Sequence, residues 1–255
     1  MWDPEVYLRH ADHRLRPGID LLARVQPSVD VTTVVDLGCG TGVFVPMLRE
    51  RFPGADVIGV DSSPEMLERA RGSVPDGTWV EAPIESWEPD EPVDVIFSNA
   101  LLHWVDDHEA VFPRLLSWLR PGGVLAVQMP RNFASPSHVG AHEVARDPRW
   151  ADRLVPLLRL HPVADPDWYV RTLAPLSAQL DVWEVTYHQL LDGPDPVVSW
   201  SSGTVLRPLL AVLDDDEEVA FLAAYAERMQ AAYPPVPDGR TPFPFRRLFL
   251  VATSG

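Results

Sequence analysis

Short apolar, β-branched runs alternate with amphipathic stretches through the first half of the chain. Thr33 to Leu37 is the first such run, and one this short and apolar predicts a strand buried on both faces. Val43 to Arg51 then reads as a helix that ends before Pro53. Asp56 to Val60 is a second strand, and Ser63 to Arg71 a second helix, with Ser62 or Ser63 as its cap and Pro64 in its first turn. Thr78 to Glu81 and Val93 to Ser98 are further strands. Glu109 to Leu119 is a helix stopped by Pro121-Gly122-Gly123, and Val124 to Met129 is a fifth strand. Upstream, Ile19, Leu21, Leu22 and Val25 share one helical face that closes at Pro27. Five such units in about 100 residues predict a parallel, doubly wound α/β sheet.

After Pro130 the pattern changes. Residues 131–178 read as helices and loops, Leu180 to Leu190 alternates like a strand, 195–232 are helical, and Leu248 to Ala252 is a last apolar run. The 255 residues suffice for one elaborated α/β core, and hydrophobic residues make up 46%. No apolar run approaches the ~20 residues that span a bilayer. The start, Met1-Trp2-Asp3-Pro4-Glu5, lacks the basic and apolar stretches of a signal peptide, so a cytoplasmic protein is expected. Cys39 is the only cysteine, which excludes an internal disulfide and a cysteine metal cluster. Set between glycines, it reads as a small packing residue. The net charge of −16 argues against a nucleic-acid partner. All 21 basic residues are arginine.

The segment Asp36-Leu37-Gly38-Cys39-Gly40-Thr41-Gly42 joins the first strand to the first core helix. Glycines allow a sharp turn and close ligand approach. A glycine loop alone is weak evidence, because dinucleotide enzymes also use one. Here the spacing is G-x-G-x-G, Asp36 closes the strand, and Asp61 ends the next strand 21 residues past Gly40. An acid at that place suits two ribose hydroxyls, each charge-assisted hydrogen bond being worth ~1.5–3 kcal/mol.

These residues resemble motif I of the class I S-adenosylmethionine-dependent methyltransferases. Tyr7-Leu8, Arg14, Arg16-Pro17, Asp61-Ser62-Ser63-Pro64-Glu65-Met66, Asn99-Ala100 and Trp104 extend the likeness. So do Gly123 to Pro130, Leu206-Arg207-Pro208 and Arg247-Leu248-Phe249. Together they are similar to the trans-aconitate 2-methyltransferase family, from about residue 2 to residue 252. The resemblance implies a Rossmann-like fold with a mostly parallel seven-stranded sheet and helical cap insertions in one domain, 1–255. The core would be about 31–130, 180–190 and 245–252, and the cap about 1–30, 131–179 and 191–244. It implies S-adenosyl-L-methionine as cofactor, leaving S-adenosyl-L-homocysteine, held by Asp36, Gly38, Gly40, Gly42, Asp61, Ser62, Ile84, Asn99 and Ala100. One departure stands out. Where the family has Ala-Asp-Ile, this chain has Ala82-Pro83-Ile84, and proline offers the adenine neither a side-chain acceptor nor an N–H. Arg9, His10 and the segment 146–166 also match poorly.

The family reaction moves a methyl group to a carboxylate oxygen. That acceptor is already ionised at neutral pH, so the demand on the protein is for cations that hold the unreactive carboxylates. Arg14, Arg16, Arg207, Arg246 and Arg247 are candidates, each with a surface ion pair as the bland alternative. Gln128, ending the fifth strand, is placed to line the acceptor pocket. Tyr7 and His103 are the candidate catalytic groups. Tyr7 would donate to acceptor or cofactor, and His103 would serve as base if the acceptor were a hydroxyl. Trp104 reads as packing against the cofactor's methionyl part or the core. The acid run Asp214 to Glu218 reads as a helix start and not a metal site. Two alternatives remain: a natural-product O- or C-methyltransferase acting on a hydroxyl, phenol or carbon, and a cofactor-binding module without methyl transfer. The expected partner is a small carboxylate, with no nucleic acid, membrane or metal, and the chain is expected to be a monomer or homodimer.

Overall fold

The computed structural model describes residues 15–255. Its elements run α1 (Arg16–Leu22), β1 (Thr33–Leu37), α2 (Val45–Arg51), β2 (Asp56–Asp61), α3 (Pro64–Ser73), β3 (Thr78–Glu81), β4 (Val93–Asn99), α4 (His108–Ser117) and β5 (Leu119–Pro130). They continue with α5 (Pro136–Ala145), α6 (Ala151–Leu154), α7 (Pro166–Leu173), β6 (Gln179–Leu191), α8 (Pro196–Ser202), α9 (Arg207–Leu210), α10 (Asp215–Ala232) and β7 (Thr241–Thr253). Short 3-10 turns occupy Leu102–Trp104, Val155–Leu157 and Ala174–Leu176.

The described strands form one seven-stranded sheet in the order β3-β2-β1-β4-β5-β7-β6. β1 to β5 are parallel, and β7 runs antiparallel to β5. The chain goes outward from β1 through β2 to β3, then returns to place β4 on β1's other side. That reversal opens a crevice at the C-terminal ends of β1 and β4. β1 and β4 are buried along nearly their whole length, as strands covered on both faces must be.

The first core helix starts two residues late, at Val45, because Thr41 to Phe44 still belong to the glycine turn. Pro121-Gly122-Gly123 does not stop a helix. α4 ends at Ser117, and the Pro-Gly-Gly segment is already part of β5. It forms an irregularity against β4, where the register passes from Val93↔Leu119 to Val95↔Val124. Gly122 lies at φ +82°, and a Cβ on Gly123 would come within 2.9 Å of two backbone carbonyls, so only glycines fit this bulge. β7 begins at Thr241, seven residues before the expected run. Pro242 and Pro244 hide its alternation, since proline normally argues against a paired strand.

The molecule divides into two compact units. One contains the described residues to Pro130 with Pro162–Val185 and Arg247–Gly255, and holds β1 to β5. The other contains Arg131–His161 and Thr186–Arg246, and has its own core. There Phe221, Tyr225 and Met229 of α10 pack with Trp150, Leu206 and Phe243. Asp214 and Glu217 close a capping box at the head of α10, and the acids behind them favour its positive end. The acid run is therefore a helix start. Among the described residues no acid–histidine cluster could hold a metal, and no helix is long and apolar enough to cross a membrane.

Candidate active site

The glycine loop lies in the β1/β4 crevice. Gly38 and Cys39 donate backbone N–H groups to the Val60 carbonyl, at 2.8 and 3.1 Å, tying the loop to β2. Gly38, Gly40 and Gly42 have φ of +76°, +55° and +72°, the left-handed region that a side chain disfavours. Their reasons for being glycine then separate. A Cβ on Gly38 would lie 2.6 Å from the Leu101 Cβ, and one on Gly42 would lie 2.3 Å from the Trp79 ring. A Cβ on Gly40 would meet no described atom within 4 Å, so among the described residues the space beside Gly40 is open. Cys39 is buried, and burial, helped by Asp36 and Asp61, pushes its thiol pKa up. It is packing and not a nucleophile.

Asp61 binds the loop to the next helix. Its Oδ2 accepts from the Gly40 N–H at 2.8 Å and its Oδ1 from the Ser63 N–H at 2.9 Å. Each carboxylate oxygen keeps a further lone pair for a hydroxyl donor. Ser63 is the cap of α3, accepting from the Met66 N–H at 3.3 Å, while Ser62 is exposed. Gly38, Asp61, Ser62, Pro83, Ile84 and Trp104 share the walls of one cavity.

Asp36 is only 1% exposed, and its Oδ2 has no hydrogen-bond partner among the described residues. Burial, then the nearby charge of Asp61, raises its pKa to about 7. Farther along the same strand ends, Asn99 of β4 stands opposite Gln128 of β5. The Asn99 Oδ1 and both amide atoms of the buried Gln128 also lack partners among the described residues. Ala100, at φ +58°, donates its N–H to the Gln128 carbonyl at 2.9 Å. A buried polar group left unsatisfied costs ~1–3 kcal/mol. A row of them at one end of a sheet marks a surface built to be completed by a ligand. A cationic sulfonium with an ammonium and ribose hydroxyls matches these acceptors, and the open space at Gly40 admits its close approach.

His103 and Trp104 lie in the 3-10 turn after β4, with ring centroids 4.8 Å apart. His103 is buried, whereas Trp104 is half exposed and lines the cavity, which excludes the core and leaves the expected place against the cofactor. The arginines divide. Arg247 on β7 is buried, in register with Pro130 of β5. Arg207 is exposed at the start of α9, in the second unit. Arg16 is exposed and lies 3.8 Å from Asp20, the bland alternative for that residue. Tyr7 and Arg14 lie outside the described residues. No motif or periodicity points to Asn132 in the second unit, which is buried with both amide atoms lacking partners among the described residues. Nearby, burial and then His142 hold the His138 imidazole down at about 4.

Comparison with known proteins agrees with this geometry. Residues 34–123 match the family model of a methyltransferase domain. The trans-aconitate 2-methyltransferase of Azoarcus sp. (strain BH72) is 50% identical over 251 residues, covering 98% of this chain and 98% of that protein. That of Streptomyces coelicolor is 46% identical over 261 residues, covering 98% and 86%. Among solved structures, phosphoethanolamine N-methyltransferase 2 of Haemonchus contortus, in complex with phosphomonomethylethanolamine and S-adenosylhomocysteine, superposes with a TM-score of 0.56 at 16% identity. It covers 94% of this chain and 52% of that one, and shares the fold. With near-full-length identity of this degree, the chain is an S-adenosylmethionine-dependent methyltransferase and belongs to the trans-aconitate 2-methyltransferase family.

Proposed function

We propose that this enzyme methylates a carboxylate oxygen of trans-aconitate or a close tricarboxylate, giving the methyl ester. The observation that carries this reading is the 50% identity to a trans-aconitate 2-methyltransferase over nearly the whole of both chains. In this reading the Asp61 carboxylate accepts the ribose hydroxyls, and Gly40 lets the loop come close to the cofactor. Asp36 faces its positive charge, with Gly38, Gly42, Ser62, Ile84, Asn99 and Ala100 completing the contacts.

Bound there, the sulfonium supplies a methyl group on a good thioether leaving group. A carboxylate acceptor is ionised at neutral pH and needs no base. The protein's work is then alignment and exclusion of water, and alignment alone can supply ~7–11 kcal/mol. The unreactive carboxylates need cations. A chain of net charge −16 does not attract a tricarboxylate by its overall field, so the reading assigns that task to local arginines, chiefly Arg207 and Arg247 with Arg14 and Arg16 beside them. Gln128, with a buried and unpartnered amide, would hydrogen-bond the acceptor, as would Tyr7. The proposal retains a cytoplasmic enzyme, monomeric or homodimeric, in one domain.

The test is methyl transfer from labelled S-adenosylmethionine to trans-aconitate, to other small acids and to phenols. Turnover on trans-aconitate well above every other acceptor is expected. Activity confined to a phenol or hydroxy compound would reject it and turn attention to His103 as base. His103→Ala should then abolish turnover with cofactor binding intact, whereas ester formation should survive that change.

A further inference from the structure

Arg114 lies on α4, in a stretch that carries no motif, yet its guanidinium ends on the wall of the cofactor cavity. Nη2 donates to the Ile84 carbonyl at 2.7 Å and Nη1 to the Glu85 carbonyl at 2.8 Å. Its Cζ is 5.4 Å from the centroid of the Trp118 ring, and Trp118 meets Trp87 edge-on with centroids 5.4 Å apart. One side chain and its aromatic support thus grip both ends of the segment 84–87.

Among the described residues, the segment's other hydrogen bonds are local. It follows β3 as a turn, with Pro83, Glu85 and Ser86 exposed. Its internal hydrogen bonds run from the Ser86 and Trp87 N–H groups to the Pro83 carbonyl, at 3.2 and 3.0 Å. Pro83 offers a ligand neither a side-chain acceptor nor an N–H. Ile84, buried and lining the cavity, is the part of the turn that can face an apolar base. Its position depends on a backbone fixed from outside.

We propose that Arg114 is the positioning residue of the cofactor's base pocket. Its fork fixes the Pro83–Glu85 turn so that Ile84 stays against the adenine, and this contributes to cofactor affinity and not to the transfer step. A guanidinium suits the task because its planar, always charged fork can hold two carbonyls at once, while an ammonium is a single point charge. The proposal rests on the cofactor and not on the identity of the acceptor.

The test measures S-adenosylhomocysteine binding by calorimetry, which needs no acceptor, together with Tm, KM for S-adenosylmethionine and kcat at saturating cofactor. The variants are Arg114→Ala and Arg114→Lys. Arg120→Ala is the control: Arg120 pairs with buried Asp94 at the other end of the sheet. Arg114→Ala should raise Kd and KM about tenfold while kcat falls less than threefold, with Arg114→Lys intermediate. Arg120→Ala should lower Tm and leave Kd unchanged. An unchanged Kd in Arg114→Ala would overturn the proposal. So would a rise that Arg120→Ala reproduces at equal loss of Tm, because that would be general destabilisation. If the alanine variant does not fold, an unchanged Kd in Arg114→Lys overturns it.

Discussion

Asp36 and Asp94 lie on neighbouring strands of one sheet, each 1% exposed, and their pKa values move in opposite directions. Asp94 opens β4. Burial pushes its pKa up, but the hydrogen bonds from Thr32 and Thr33 and the charge of Arg120 outweigh burial and hold it below the usual carboxylate range. Those donors are the Thr32 N–H at 2.7 Å, the Thr32 hydroxyl at 2.8 Å and the Thr33 N–H at 2.9 Å. Asp36 sits near the end of β1. With Oδ2 unpartnered, burial and Asp61 raise it to about 7. Residue type and surface exposure are the same, but Asp36 lies deeper and faces a second acid, whereas Asp94 has three donors and a cation beside it. The N-terminal edge of the sheet is completed by the protein itself. The C-terminal edge keeps polar atoms that no described residue satisfies, and the proposed reading gives them to the cofactor.

The largest way to break this contrast is Asp94→Ala. It strands two backbone N–H groups and a hydroxyl, and should cost ~3 kcal/mol of stability in denaturant unfolding, since each buried donor left unsatisfied costs ~1–3 kcal/mol, while the exposed Arg120 returns to water. Cofactor affinity of the folded variant should not change. A loss below ~1 kcal/mol would mean that water replaces the carboxylate with ease. Asp61→Ala acts on the other edge. Cofactor Kd should rise at least about tenfold, the scale of one or two lost charge-assisted hydrogen bonds, and calorimetry showing equal affinity would remove Asp61 from the ribose.

Asp36→Asn sharpens the comparison through pH. Between the ordinary carboxylate range and about pH 7, folded Asp36 keeps a proton that the unfolded chain has released. Its contribution to stability therefore falls as pH rises through that window, by at most ~1.4 kcal/mol per unit, and levels off above it. The asparagine variant should lack that slope. Affinity for the cationic cofactor should run the other way in the wild type, rising with pH toward 7, because the ionised carboxylate is the form that attracts it. Identical slopes in both proteins would mean Asp36 is not the titrating group. The smallest effect is expected at Arg207, an exposed residue. Arg207→Ala should raise the acceptor KM several-fold with cofactor Kd unchanged, and unchanged steady-state kinetics would return it to the surface.

Much of this was legible in the sequence where local chemistry dictates the outcome. Strands such as β1 and β4 could be read because a strand covered on both faces must be apolar along its length, while the edge strand β3 is only half-buried. Asp36, Gly38, Gly40, Gly42 and Asp61 could be read because a tight turn after a strand restricts residue type. The bulge at Pro121 to Gly123 was misread as a helix stop, since the same residues serve both purposes and only the register with β4 distinguishes them. The early start of β7 was hidden by Pro242 and Pro244, and Asn132 by the lack of any periodicity around it.

By itself the sequence determined the α/β alternation, the glycine loop with its two acids, and the excess of negative charge, because these are properties of neighbouring residues. The tertiary structure decided what depends on residues far apart in the chain. It gave Asp94 its donors from Thr32 and Thr33, 62 and 61 positions away, and Arg120 from the far side of α4. It left Asp36 without an Oδ2 donor, set Asn99 opposite Gln128, and brought Arg114 to carbonyls 30 and 29 residues earlier. Whether a buried polar atom is satisfied depends on what the fold brings to it, and hydrophobic spacing along the chain carries no record of that.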